Sequence, residues 1–530
     1  MTVPIIQVFP KADTFVGSDA GRSTVIGEYN TFLGALAGYF NTIGESNTFL
    51  GCEAGWNNLT GGHTFSGYRA GAGNTTGVQN TFSGYCAGES NTTGYNNTFT
   101  GTEAGYSNTE GSYNVFSGYQ AGYYNTTGSH NTFLGDQAGS DNTAGNNNTF
   151  SGFMAGLSNT TGGSNTFSGY QAGYYNTTGT SNTFLGNEAG VSNTTGNWNT
   201  FLGNAAGYSN TTGIYNTFSG HQAGYKNTTG ESNTFVGPVA GNENTTGKYN
   251  SFFGRGAGWK NTIGNYNTFL GSEAGTLNTS GGGNVFLGYQ AGYNEAGSNK
   301  LYIANGQGTP LIYGDFAAGK VGLGTTAPQR KLEISGPDPQ TGLCITGTDS
   351  KRSWLLTTGV ASGDGKFALY DYGAAAHRLV VDKAGNVGIG TSSPTERLDV
   401  DGTARLRTMP GGTGTRVVVD ATGKLLKESS SRRYKTDIEA LAEEGNKVLD
   451  LRSVQFRWQS TGEPDIGLIA EEVAGVLDSL VIRDAEGRPE AVKYDKVALY
   501  LLPVIRDHQQ RIEALERAVR QMQAPVAQAP

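Results

Sequence analysis

A phenylalanine that returns every seventeen residues limits this chain more than any other feature. It stands in the phrase N-T-F-x-G and recurs from Phe15 to Phe286; fifteen of the sixteen intervals are 17 residues, and Phe49 to Phe65 is 16. The unit reads N-T-F-x-G-x-x-A-G-x-x-N-T-T-G-x-x, with glycine two and six residues after each phenylalanine and alanine five after. A third glycine, twelve after, is missing only from the last copy, where Ser298 stands. T-F-x-G is too short for a helical turn and suits a brief strand with the ring on one face. A-G allows a tight corner, and N-T-T-G is a turn phrase, since asparagine bonds its own backbone and glycine accepts positive φ. One such unit cannot bury its apolar side alone, so neighbouring units must stack. We therefore expect residues 1–299 to form seventeen β-solenoid coils, phenylalanine over phenylalanine and asparagine over asparagine.

Composition removes other classes. Glycine takes 83 of 530 positions, yet only 15% of residues are charged and 11% are aromatic, unlike a disordered chain. Collagen needs glycine at every third position with abundant proline, and there are only 14 prolines. Residues 1–299 hold 7 Lys and Arg against 15 Asp and Glu, too sparse and too acidic to grip a nucleic-acid backbone. No apolar run reaches the length of a membrane span, and the start, MTVPIIQVFPKAD, shows no signal peptide, so neither membrane insertion nor general secretion is expected. Three scattered cysteines (Cys52, Cys86, Cys344) offer neither a disulfide framework nor a zinc spacing. No cofactor or metal motif is present.

The N-T-x-x-G-x-x-A-G phrasing resembles the head repeats of trimeric autotransporter adhesins, and more closely the repeat arrays of tail fibres in phages and phage-like contractile injection systems. That resemblance implies a trimeric parallel β-roll or β-solenoid. Lys300–Phe316 reads as an exit from the stack, keeping the strand phase with Ile303. KVGLGTTAPQRKLEISG (320–336) and NVGIGTSSPTERLDVDG (386–402) are two copies of a strand–turn–strand phrase, similar to the linking phrase of trimeric phage fibres. Residues 300–336 form exit strands and the first linking motif, 337–402 a small β-domain with the second, and 403–429 linker strands. Trp354, Tyr370 and Tyr372 either stack a sugar or fill the core of that β-domain. No paired carboxylates mark a glycosidase.

From Ser429 glycine falls, charge rises and helical patterns begin. S-x-R-R-x-K-T-D-I (430–438), G-L-I-A-E-E-V (467–473) and Y-D-K-V-A-L-Y-L-L-P (494–503) resemble, in this order, the C-terminal intramolecular chaperone of phage tail spikes and endosialidases. The resemblance implies an α+β chaperone and autoprotease domain over 430–496 that trimerises the fibre and then cuts itself off. It implies Ser430 as nucleophile, Lys435 as base and Ser429–Ser430 as the scissile bond. Neighbouring Ser429 and Ser431 leave the register open by one residue. A serine hydroxyl needs a base, and lysine serves only when burial or nearby cations lower its pKa; Arg432 and Arg433 are near in sequence. Residues 497–530 carry Ile505, His508, Ile512, Leu515, Val519 and Met522 at alternating spacings of three and four. That seam either docks on its own domain or forms the trimeric coiled coil that the resemblance implies.

The expected protein is a homotrimeric tail fibre of a virion or injection-system particle, made in the bacterial cytoplasm. Its N-terminus would join a baseplate or tail protein, and its surface would meet a glycan or protein of the target cell. Two other classes stand beside it: a bacterial surface adhesin or stalk with the same chaperone, and an ice-binding solenoid.

Overall fold

The computed structural model describes residues 6–8, 12–337, 342–346, 353–358, 365–404, 417–419, 425–427, 431, 433, 435–441, 444–484 and 486–523. It divides into two compact units, Met1–Thr403 and Ala404–Pro530.

The first unit is a parallel β-solenoid. Strand β1 (Ile6–Val8) pairs antiparallel with β2 (Thr14–Val16) and caps the start. From β2 to β18 (Val285–Leu287), seventeen three-residue strands pair parallel and in register, phenylalanine opposite phenylalanine throughout. From Phe32 to Phe286 the rings have no solvent exposure and stand on one another; Phe133, Phe150 and Phe167 are spaced 4.8 Å with planes 5° and 6° apart. That spacing is the distance between paired strands, so strand pairing and ring stacking repeat together. Sixteen such steps carry the stack over roughly 75 Å.

Two asparagine ladders run beside the rings. In the coil of Phe150, the backbone N–H of Asn148 donates to Asn131 Oδ1 (2.9 Å), and its own amide donates to the Gly162 carbonyl (2.8 Å). Asn159 donates to Asn142 Oδ1 (2.6 Å) and to the same Gly162 carbonyl (2.9 Å). Both asparagines are fully buried, so these bonds remove the cost of hiding their amides and the turn carbonyl. Thr160 adds an outer rung, donating from Oγ1 to the Thr177 carbonyl at 3.0 Å.

Glycine is required by close approach. At Gly156, with φ +61°, an added Cβ would lie 2.6 Å from the Phe150 ring. At Gly152 it would strike the carbonyl oxygen of Gly169 in the next coil.

The stack ends on β19 (Lys300–Ile303), and here one expectation is corrected. Phe286 pairs with Tyr302, and Leu287 with Ile303, so Tyr302 takes the ring position and Ile303 points outward. The last coil has 16 residues, because Gly297 takes the turn: its carbonyl accepts the Asn284 amide at 2.9 Å. Tyr302 meets Phe286 edge-on at 5.3 Å and closes the stack. Strands β20 (Ile312–Asp315), β21 (Lys320–Leu323) and β22 (Leu332–Ile334) extend the sheet. Their outward residues continue the column that follows each phenylalanine: Leu287 pairs with Ile303, then Ile312, Leu323 and Ile334.

A second sheet has six strands in sequence order: β23 (Gly342–Thr346), β24 (Ser353–Thr357), β25 (Phe367–Asp371), β26 (Ala376–Val381), β27 (Val387–Ile389) and β28 (Leu398–Val400). In both linking phrases the second strand pairs parallel with the first after one short loop, Val321 with Leu332 and Val387 with Leu398. Pro328 and Pro394 are buried, and Pro394 packs beside Gly388, where a Cβ would lie 3.5 Å away. Leu355 pairs with Tyr370 and Trp354 with Asp371, so Trp354 and Tyr370 point to opposite faces and form no common sugar platform. Tyr370 instead meets Tyr372 edge-on at 5.1 Å, and Tyr372 is exposed.

In the second unit, β29 (Val417–Val419) pairs with β30 (Leu425–Lys427). A short 3-10 helix, Gly445–Asp450, precedes the hairpin of β31 (Val454–Arg457) and β32 (Pro464–Gly467). Helix α1 (Ala470–Val476), the hairpin of β33 (Val481–Arg483) and β34 (Pro489–Val492), and helix α2 (Tyr494–Met522) follow. Among the described residues no helix is long and apolar enough to cross a membrane.

Candidate self-cleavage site and its supporting domain

Unit two is built around a small core that includes Val448, Val473, Leu477, Leu480, Tyr500 and Val504, contributed by the 3-10 helix, α1, the turn that follows it and the start of α2. Two of the three phrases, G-L-I-A-E-E-V and Y-D-K-V-A-L-Y-L-L-P, meet in it. The Tyr494 hydroxyl accepts the Leu468 N–H at 2.6 Å and donates to the Leu468 carbonyl at 3.2 Å, tying the first turn of α2 to the strand before α1. Gly467 is required beside it, because a Cβ there would lie 2.5 Å from the Tyr494 oxygen. Tyr500 and Ser479 share a hydroxyl hydrogen bond of 2.7 Å. Glu472 takes a two-pronged bond from Arg452, 3.2 Å at Nε, which holds its carboxyl below the usual range and braces α1. None of these supporting residues is distinguished by spacing in the sequence. Only the pairing of glycine in one phrase with tyrosine in another points to them.

Of the predicted site residues, Ser429, Ser430 and Arg432 lie outside the described residues. Ser431, Arg433 and Lys435 are described and exposed. The single chain therefore gives the Lys435 amine no burial, which is one of the two conditions for a lysine base. Asp437, two residues on, holds the left-handed conformation with φ 49°.

Helix α2 settles where its seam goes within one chain. Tyr500 and Val504 are buried in the domain core, whereas Ile505, Ile512, Leu515, Val519 and Met522 are all exposed. Only the first three turns dock at home.

Residues 430–482 match a family described as the chaperone of endosialidase. No curated protein matches the chain. The matched segment runs from the candidate serine to the start of β33, so it contains α1 and the Arg452–Glu472 brace. This segment is thus similar to an intramolecular chaperone, and it follows a β-solenoid in the chain.

Proposed function

We propose that this protein is a homotrimeric fibre of a phage tail or contractile injection system, which attaches the particle to a target-cell surface. The chaperone match following a seventeen-coil solenoid carries this reading. A long stack of parallel coils is made of non-local pairings that align slowly, so a separately folding domain with an exposed helical seam suits the task of bringing chains together. The Ser430 hydroxyl attacks the Ser429 carbonyl as Lys435 takes its proton, the Ser429–Ser430 C–N bond breaks as the amine of residue 430 receives that proton, and water hydrolyses the resulting ester, so that the chaperone leaves once the fibre has assembled. The exposure of Lys435 in one chain fits a site completed only when copies meet. Binding partners follow from this placement: a baseplate or tail protein at the N-terminal end, and a glycan or protein on the target cell.

An ice-binding surface calls for adjoining threonine columns. Threonine columns stand before the phenylalanines and in the N-T-T-G turns, but the column after the phenylalanines carries Leu33, Leu134, Leu185 and Phe253, which break a flat hydroxyl array on the strand face.

Native mass spectrometry of the full chain and of a chain ending at residue 429 tests the proposal. The full chain should assemble as trimers, and the truncated chain should aggregate. A soluble trimer from the truncated chain would remove the chaperone from the assembly pathway.

A further inference from the structure

The six-stranded sheet carries apolar rows on both faces, but the described residues of its own chain close only one. Leu355, Ala368 and Val380 point to the closed face, where the loop carrying Pro394 folds over Gly388, and all three are buried. The opposite face carries a row that crosses every strand: Leu343 pairs with Leu356, then Leu369, Leu379, Ile389 and Val400. No charged side chain interrupts the row. Yet Leu343 is 51% exposed, Leu356 38% and Ile389 43%, and beside the row Leu398 is 62% exposed. A strand such as β26, which runs Leu379-Val380-Val381 without alternation, has the pattern of a sheet covered on both sides. Monomers rarely leave apolar patches of this extent open to water.

The same arrangement occurs a second time. In the first linking phrase Pro328 is buried as Pro394 is, while Val321 and Leu332 stay exposed, Leu332 to 59%. The row of Ile303, Ile312, Leu323 and Ile334 joins the solenoid column at Leu287 and Leu270, the latter 52% exposed. Two near-identical linking phrases thus present near-identical open faces at two levels of one chain. Copies of this chain set side by side meet both levels with the matching surface at once, whereas a foreign partner would need the same motif twice.

We propose that these open faces, on β19–β22 and on β23–β28, are where copies of this chain pack against one another, closing a shared apolar core over residues 300–402. The proposal rests on the trimer reading and adds the surface that holds the trimer after the chaperone has gone. It also assigns the outward column of exposed Leu270 and half-buried Leu287 to the same interface.

The test uses the full chain with three variants. Ile389→Glu puts a charge on the open face, where an isolated chain leaves it in water but a trimer buries it. Ser393→Glu puts the same charge on the exposed loop behind the closed face. Ile389→Cys, with Cys344→Ser, is treated with a short bis-maleimide. The expected result is trimer mass for wild type and Ser393→Glu, loss of the trimer for Ile389→Glu, and covalent linking of copies through Cys at position 389. A trimeric wild type whose Ile389→Glu variant stays trimeric with unchanged melting overturns the interface and leaves the trimer reading standing. A monomeric wild type overturns both. Should Ile389→Glu aggregate, the cysteine variant decides: failure to link copies in a trimer overturns the interface.

Discussion

The backbone N–H of Asn80 donates to Nδ1 of His63 at 3.1 Å, in the rung where neighbouring coils offer an asparagine Oδ1. His63 replaces asparagine in the one internal coil that is a residue short, and its ring lies buried against Phe65 at 4.9 Å. Burial pushes its pKa down from 6.5 to about 4. The imidazole therefore stays neutral and keeps the lone pair that accepts from Asn80.

Acid should attack the solenoid at this coil. The unfolded chain binds a proton near pH 6.5, and the folded one only near pH 4, so stability is complete above pH 6.5 and drains as pH falls between the two values. The loss approaches about 3 kcal/mol per chain by pH 4. Melting of wild type and His63→Asn from pH 7.5 to 4.5 checks this. The variant, whose amide does not titrate, should show a flatter profile across that window. Parallel profiles would show that His63 is not the titrating group.

Removing one ring from the middle of the stack should cost a core cavity and two stacking contacts. Phe150 is fully buried between Phe133 and Phe167, and the coils on either side are held by regular pairing that cannot close the gap. Phe150→Ala should lower stability by roughly 3–5 kcal/mol per chain. Tyr175→Ala, removing a ring that is half exposed, should cost far less. Denaturant midpoints of the two variants compare them directly.

A single methyl should be costly at Gly156. The position has φ +61°, and the added carbon meets the Phe150 ring at 2.6 Å, so backbone strain and overpacking act together. Gly156→Ala should destabilise by more than 1 kcal/mol, whereas alanine at Gly475, where nothing lies within 4 Å of the new carbon, should be neutral or slightly stabilising to α1. Circular dichroism melting of both variants gives the comparison.

The solenoid was legible because each position of the unit does one physical job in nearly every coil, so counting by seventeen places the rings, the corners and both ladders. Counting failed where the coil length changed. Ile303 sits seventeen after Phe286, but Gly297 closes its turn one residue early and Tyr302 takes the ring position. The linking phrases were readable as strand, turn and strand, but not the face they leave open, since that depends on which side the buried Pro394 covers. In the second unit the long helix Tyr494–Met522 was legible from its three-and-four spacing. The Arg452–Glu472 brace joins residues twenty apart with no periodic signal, and nothing in a linear pattern brings them together.

The final prediction concerns the cut at Ser429–Ser430. A serine hydroxyl at neutral pH is a weak nucleophile, so the step needs Lys435 uncharged and close. In one chain Lys435 is exposed. Cleavage should therefore follow assembly, with copies supplying the burial that one chain lacks, and should release residues 430–530. Ser430→Ala and Lys435→Ala should both remain full-length at 55.6 kDa yet assemble normally, because neither removes a core or seam residue of the chaperone. The cut wild type should then resist unfolding longer on heating than either variant, since departure of the chaperone removes the route back to separate chains, which is kinetic stability. Mass spectrometry at intervals after refolding, beside native mass at the same times, orders the two events. Cleaved monomer appearing before any trimer would overturn the sequence, and an intact wild-type trimer after days at neutral pH would leave Ser430 as a turn residue.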